Sequence, residues 1–109
     1  DHVGGVSANQ VIAHYHCETA ISYLQKNVTD SAYVAVMEAL SADRSCVRAN
    51  LLLAKIKKLQ GDYHAAINAY QNAVELEPDF ISEFLDDFAY CHQQLNTERE
   101  FANGTRNQL

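Results

Sequence analysis

Apolar residues recur along this chain at helical spacing, i, i+3 or i+4, in blocks separated by short polar stretches. The pattern predicts helices over Ala8 to Lys26, Asp30 to Ala42, Cys46 to Gln60, Tyr63 to Glu75 and Asp79 to Leu95, with a short sixth near Thr97 to Ala102. The breaks carry stop chemistry: Gly61 suits the left-handed conformation after a helix, Asp30 and Asp62 suit N-cap positions, and Pro78 favours an end before it and a start after it. Connections this short turn each helix antiparallel to the one before. Three alanine pairs, Ala20 with Ala54, Ala32 with Ala66 and Ala39 with Ala73, are each 34 positions apart. A fixed period of that length marks a helical repeat array, in which small side chains let two helices of one unit approach closely.

The clearest unit runs from Val47 to Phe80 and carries Leu53, Ala54, Gly61-Asp62-Tyr63, Ala66, Tyr70, Ala73 and Pro78. It resembles a tetratricopeptide repeat (TPR), whose pattern is W-x2-L-G-x2-Y, then A-x3-F, then P. Leu53, Ala66, Tyr70 and Pro78 fit, Ala54 replaces the glycine, and Asn50 and Lys57 stand where the two first-helix aromatics belong. An earlier, degenerate unit keeps Ala20, Tyr23, Ala32 and Ala39 but has His16 in the tryptophan place and Arg44 in the proline place. A later unit starts at Ser82 with Leu85, Phe88 and Ala89, and the polar end from Gly104 through Gln108 is expected to cut it short. The implied fold is all-α, a right-handed TPR superhelix of antiparallel helical hairpins with about five to six helices. Residues 1–7 are expected to be a disordered or processed start, 8–46 the degenerate unit, 47–81 a full unit, and 82–109 a partial unit with a frayed C-terminus.

Composition narrows the function. The 109 residues carry 8 basic and 14 acidic side chains, a net charge of −6, which argues against nucleic acid because phosphate binding relies on clustered Lys and Arg. No long apolar run or signal sequence is visible, so the chain reads as soluble, and a start at Asp1 with no periodicity through Gly5 leads us to expect a fragment excised from a longer protein. Three widely spaced cysteines, Cys17, Cys46 and Cys91, suit reduced thiols in a cytosolic helical protein better than a disulfide framework. Asn27-Val28-Thr29 and Asn103-Gly104-Thr105 match glycosylation triplets, which matter only in a eukaryotic secretory setting. Two full units and one extra helix leave both ends uncapped, which predicts self-association through an end or reliance on neighbouring repeats.

The segments IAHYHCETA (12–20), ADR (42–44), GDYHAA (61–66), ISE (81–83) and CHQQL (91–95) occur in an order and spacing similar to the later TPR units of the lipopolysaccharide assembly protein B family. That resemblance implies a Gram-negative parent with an inner-membrane anchor, cytosolic TPRs and a C-terminal rubredoxin-like zinc module. It implies a role in limiting lipopolysaccharide synthesis by bringing the lipid A pathway's deacetylase to a membrane-bound ATP-dependent protease. The chain itself is expected to hold no cofactor and to sit on the cytoplasmic side of the inner membrane. A TPR serving other bacterial secretion, envelope or regulatory machinery is the alternative. Family groove positions fall on His14, Cys17, Ile21 and Leu24, on Arg48, Leu51, Lys55 and Lys58, and on Glu83, Asp86, Tyr90 and Gln93. Arg48, Lys55 and Lys58 form a basic stripe at i, i+7 and i+10, facing Glu83 and Asp86 on the next first helix. The readings that stand open are a solvated face, pairing across the helices with Glu83 and Asp86, or contact of Lys55 and Lys58 with an acidic stretch of a partner. The acidic run from Glu75 to Asp87 either repels anionic partners or receives a basic one, and TPR grooves that grip acidic chaperone tails are disfavoured because Cys17, Ile21, Leu52, Glu83 and Asp87 stand at their key places.

Catalytic and metal chemistry find little footing. His14 and Cys17 share a helix face at i, i+3 and invite a zinc reading, with Cys46, His64, Cys91 and His92 as further candidates. The repeat pattern instead sets His16 and Cys91 in packed positions. Adjacent Cys91 and His92 point in different directions on a helix, and no glycine-rich phosphate loop exists, so the chain reads as a non-enzyme. The stripes Ile67-Tyr70-Val74 and Tyr33-Val36-Met37-Leu40 read as core.

Overall fold

The computed structural model describes residues 7–107, and the side chains of all of these but Phe80, Glu83 and residues 103–107. Five α-helices follow one another: α1 (Ala8–Gln25), α2 (Thr29–Ala42), α3 (Val47–Leu59), α4 (Tyr63–Leu76) and α5 (Ile81–Asn107), with a 3-10 turn at Pro78–Phe80 before the last. The all-α helical-repeat expectation holds. The expected disordered start lies almost wholly in residues 1–6, outside the described residues.

Each local boundary has a chemical cause. Ser7 caps α1 through a capping box, its hydroxyl accepting from Gln10 N while Gln10 Oε1 accepts from Ser7 N. Helix α1 stops just before Asn27, which takes φ 62°. Asn27 N donates to Leu24 O and Val28 N donates to Tyr23 O, the paired bonds of a Schellman stop. Thirty-four positions on, Gly61 takes φ 80°, and Gly61 N and Asp62 N donate to Lys58 O and Lys57 O in the same arrangement. The period read from the alanines is therefore repeated in backbone hydrogen bonds. It recurs at the ends of the second helices, where Asp43 N bonds Ala39 O and Glu77 N bonds Ala73 O.

Two expected caps divide. Asp62 caps α4, its carboxylate accepting from Ala65 N. Asp30 does not cap α2: the N-cap is Val28, and Asp30 lies inside the first turn, where its charge still favours the helix dipole.

Packing follows chain order, α1 on α2, α2 on α3, α3 on α4 and α4 on α5, with α1 also touching α3. All six alanines of the 34-residue pairs are fully buried. A methyl side chain at these crossings lets the helix backbones close together and leaves no room for a larger residue. One core cluster joins α1, α2 and α3 around Cys17, Val36, Leu52 and Ile56. A second joins α3, α4 and α5 around Ile67, Tyr70, Phe84 and Cys91, with Tyr70 and Phe84 stacked at 5.0 Å between centroids. Ile67 and Tyr70 are buried and Val74 is half-buried; in the other stripe Val36 is buried while Met37 is exposed.

The last helix corrects the sequence reading. A break near Leu95 and a short sixth helix are expected, but α5 runs as one piece from Ile81 to Asn107, passing through Gly104. Asn96 lies 35 positions after Gly61, yet among the described residues only Asn27 and Gly61 have positive φ. From Asn96 to Ala102 every residue is exposed, so this part of α5 lies on no other helix among the described residues. No helix among them is long and apolar enough to cross a membrane.

Candidate partner-binding surface

The expected groove lies along α1, α3 and α5, the first helices of successive units. Its basic side chains do not stand free. Arg48 Nη1 on α3 lies 3.2 Å from Glu18 Oε2 on α1, and His14 Nε2 lies 3.7 Å from the same oxygen. Toward α5, Lys58 Nζ lies 2.8 Å from Asp87 Oδ1 and Lys55 Nζ lies 3.4 Å from Asp87 Oδ2. Tyr70, reaching from α4, donates its hydroxyl to Asp87 Oδ2 at 2.8 Å. Asp87 therefore receives three donors from two helices.

The lysines pair across the helices, as one expectation had it, but the acid is Asp87 rather than Glu83 or Asp86. On a helix, residues 86 and 87 are turned by about 100° from each other, and that single step decides which one meets α3. Asp86 is exposed with no ion pair among the described residues. The Glu83 side chain lies outside the described residues. Burial by itself would raise the Asp87 pKa, but the hydrogen bonds from Lys58 and Tyr70 and the nearby Lys55 charge outweigh it and hold the carboxyl below its ordinary value. Burial, helped by the Asp87 bond, pushes the Tyr70 phenol far upward.

Other groove positions divide by exposure. Cys17 is fully buried, correcting its placement on the groove: its sulfur faces inward to Cys46 Sγ at 3.9 Å. Ile21, Leu24 and Leu51 are half-buried and pack on the two core clusters. Tyr90 and Gln93 are exposed on α5, and Tyr90 lies under Lys58 Nζ, 5.4 Å from the ring centroid. Lys57 sits 4.8 Å over the Tyr33 ring, joining α3 to α2.

Of the zinc candidates, only Cys17 and Cys46 are brought side by side. His14 is exposed on α1 while Cys17 is buried, and no group of three or more His, Cys, Asp or Glu side chains among the described residues is arranged around a metal position. His16, in a tryptophan place, is half-buried with Nδ1 3.4 Å from Glu38 Oε1 on α2. Burial first, then the neighbouring Cys46, pushes the Cys17 thiol up to about 12.

Residues missed by sequence reasoning are Asp87 as the hub, Glu18 as partner to Arg48, and the Tyr70 hydroxyl. Only the Tyr70 signal was visible in advance: a tyrosine where the pattern has phenylalanine brings a buried hydroxyl that needs an acceptor.

A family model described as tetratricopeptide repeat matches residues 47–80. The fold is a tetratricopeptide-repeat array. Lipopolysaccharide assembly protein B of Escherichia coli K12 is 26% identical over 91 residues, covering 84% of this chain and 23% of that protein. The protein of the same name from Haemophilus influenzae is 34% identical over 88 residues, covering 81% of this chain and 22% of its own length. This TPR chain thus spans under a quarter of the length of these relatives. The matched unit runs from α3 to the 3-10 turn, which includes Lys55, Lys58 and Tyr70 of the Asp87 cluster.

Proposed function

We propose that this TPR chain is a non-enzymatic protein-binding scaffold in the control of lipopolysaccharide assembly, part of a protein that brings the lipid A pathway's deacetylase to a membrane-bound ATP-dependent protease. The observation that carries this reading is the similarity to lipopolysaccharide assembly protein B over most of the chain. The surface supports it: Glu18–Arg48 and Asp87 with its lysines bridge three first helices side by side, a continuous face for another protein. On this reading the chain needs no cofactor of its own, any zinc module lies elsewhere in the parent, and the platform works on the cytoplasmic side of the inner membrane. Exposed Ile81 and Leu85 beside α4 are the edge through which an uncapped array would self-associate, and sedimentation equilibrium measures it.

The test is a pull-down from detergent-solubilised Gram-negative membranes and cytosol, read by mass spectrometry, beside an Asp86→Lys/Gln93→Lys variant. These two side chains are exposed, so the variant alters the platform without breaking the Asp87 cluster. Capture of the deacetylase and the protease, lost in the variant, supports the coupling role. Capture of neither by the folded chain counts against it.

A further inference from the structure

A cavity of about 770 Å³ opens between α2, α3 and α4, away from the surface described above. Its apolar wall is Met37, Leu40, Leu53 and Leu76, and Asn50 lies among its lining residues. Asn50 stands where the repeat pattern has tryptophan, three residues before the pattern's leucine, Leu53. An asparagine occupies only part of what an indole would fill, which adds to the space that α2, α3 and α4 leave between them.

Among the described residues Asn50 is also the one polar residue in the buried core, at 6% exposure. Its Nδ2 donates to Cys46 O at 2.9 Å and Arg44 O at 3.3 Å, carbonyls at the start of α3. Both partners are acceptors, so the nitrogen is assigned by its surroundings. No described residue donates to Oδ1, and no fully buried side-chain nitrogen or oxygen among the described residues lacks a partner, so solvent reaches this oxygen. The way to it is the cavity that Asn50 lines. The site thus offers a hydrogen-bond acceptor at the base of an apolar wall.

We propose that this cavity receives a tryptophan side chain from a partner protein, the indole filling the space left by the repeat's own missing tryptophan and donating its N–H to Asn50 Oδ1. Indole combines a large apolar face with a single donor and no acceptor, which matches this wall and this oxygen. A carboxylate or carbonyl group would meet Oδ1 with repulsion. At the rim, Arg44 and Glu75 have opposite charges, and Ser41 and Asn72 offer polar groups to the peptide flanking the indole. The volume lies within the range of about 300–1,000 Å³ common to small-ligand sites, room for an indole and adjoining backbone. The 109 residues contain no tryptophan, so a second copy of this chain does not supply the anchor.

That same absence makes the test clean, since all tryptophan emission belongs to the probe. N-acetyltryptophanamide titrated against the folded chain is expected to show a blue-shifted, saturable emission change with a dissociation constant of about 1 mM. In parallel, amide NMR shifts are expected at Asn50, Leu53, Asn72 and Leu76. The 1-methylindole analogue, which lacks the donor, is expected to bind about fivefold more weakly, as loss of one hydrogen bond predicts. Ser41→Trp places a ring in the cavity from an exposed position on α2, and is expected to abolish probe binding, read by the NMR shifts, while the thermal melt is kept. Absence of saturable shifts at these residues up to about 20 mM probe, some twenty times the expected constant, overturns the proposal. Equal binding of the methylated analogue, or full binding by folded Ser41→Trp, overturns it as well.

Discussion

The hydroxyl of Tyr70 on α4 and the carboxylate of Asp87 on α5 meet at 2.8 Å, joining one repeat to the helix that follows it. Tyr70 is fully buried, and this bond is what lets a tyrosine occupy a core position. Asp87→Ala therefore leaves a buried donor without an acceptor and is expected to cost about 1–3 kcal/mol. Tyr70→Phe removes donor and need together and is expected to cost about 0.5–1.5 kcal/mol. The double variant should cost less than the sum, a shortfall measured by a denaturant double-mutant cycle. Simple additivity would show that the two groups are not coupled.

Acid should release the same contact. The Asp87 carboxyl is held below its ordinary value of 3.8, so the folded state binds its proton less readily than the unfolded chain does. Its contribution is complete above that ordinary value and is lost as pH falls through the lowered one. Melting curves recorded down from about pH 5 should fall more steeply for the native chain than for Asp87→Asn, which has no proton to gain. Parallel curves would assign the acid sensitivity to other carboxylates.

The three thiols should differ in reactivity. Cys17 and Cys91 are fully buried with pKa values raised, in each case chiefly by burial, whereas Cys46 is half-buried at the start of α3. Brief iodoacetamide treatment at mild alkaline pH should alkylate Cys46 first, and the other two only after denaturant is added. Peptide mass spectrometry reads the order directly, and early labelling of Cys17 would contradict the packing of α1 on α2.

Asn27 and Gly61 end the first helices of successive units with the same left-handed residue. A Cβ added at Gly61 meets nothing within 4 Å, so the cost of Gly61→Ala is purely conformational, about 1–2 kcal/mol. Asn27→Gly relieves strain at a position with φ 62° but loosens the unfolded chain, and should change stability by under about 1 kcal/mol. Thermal melts of the two variants should therefore move unequally, with the glycine loss the larger.

Much of this was legible in the linear pattern because helix periodicity, alanine spacing and stop residues are short-range properties. The four hairpin helices, the left-handed turn at Gly61 and the burial of all six paired alanines followed from it. The break expected in α5 failed for a local reason. The segment from Ile81 to Ala102 has neither glycine nor proline, so once no partner draws the chain back, continuing hydrogen bonds keep Asn96 helical. The family's groove positions include Cys17, yet here it is fully buried with its sulfur beside Cys46 at the start of α3.

What the amino-acid order determined alone was the repeat: where helices begin and end, and which small residues allow them to pack. Tertiary structure decided which charges meet. Glu83, Asp86 and Asp87 are neighbours in one acidic run, and only the rotation of α5 against α3 and α4 places Asp87 within reach of Lys55, Lys58 and Tyr70. The cavity at Asn50 has the same origin, since its lining from α2, α3 and α4 is brought together only by the packing of those helices. Periodicity is written in each helix, but the angle between helices is set by the sum of many contacts, and that sum is carried by no single stretch of the chain.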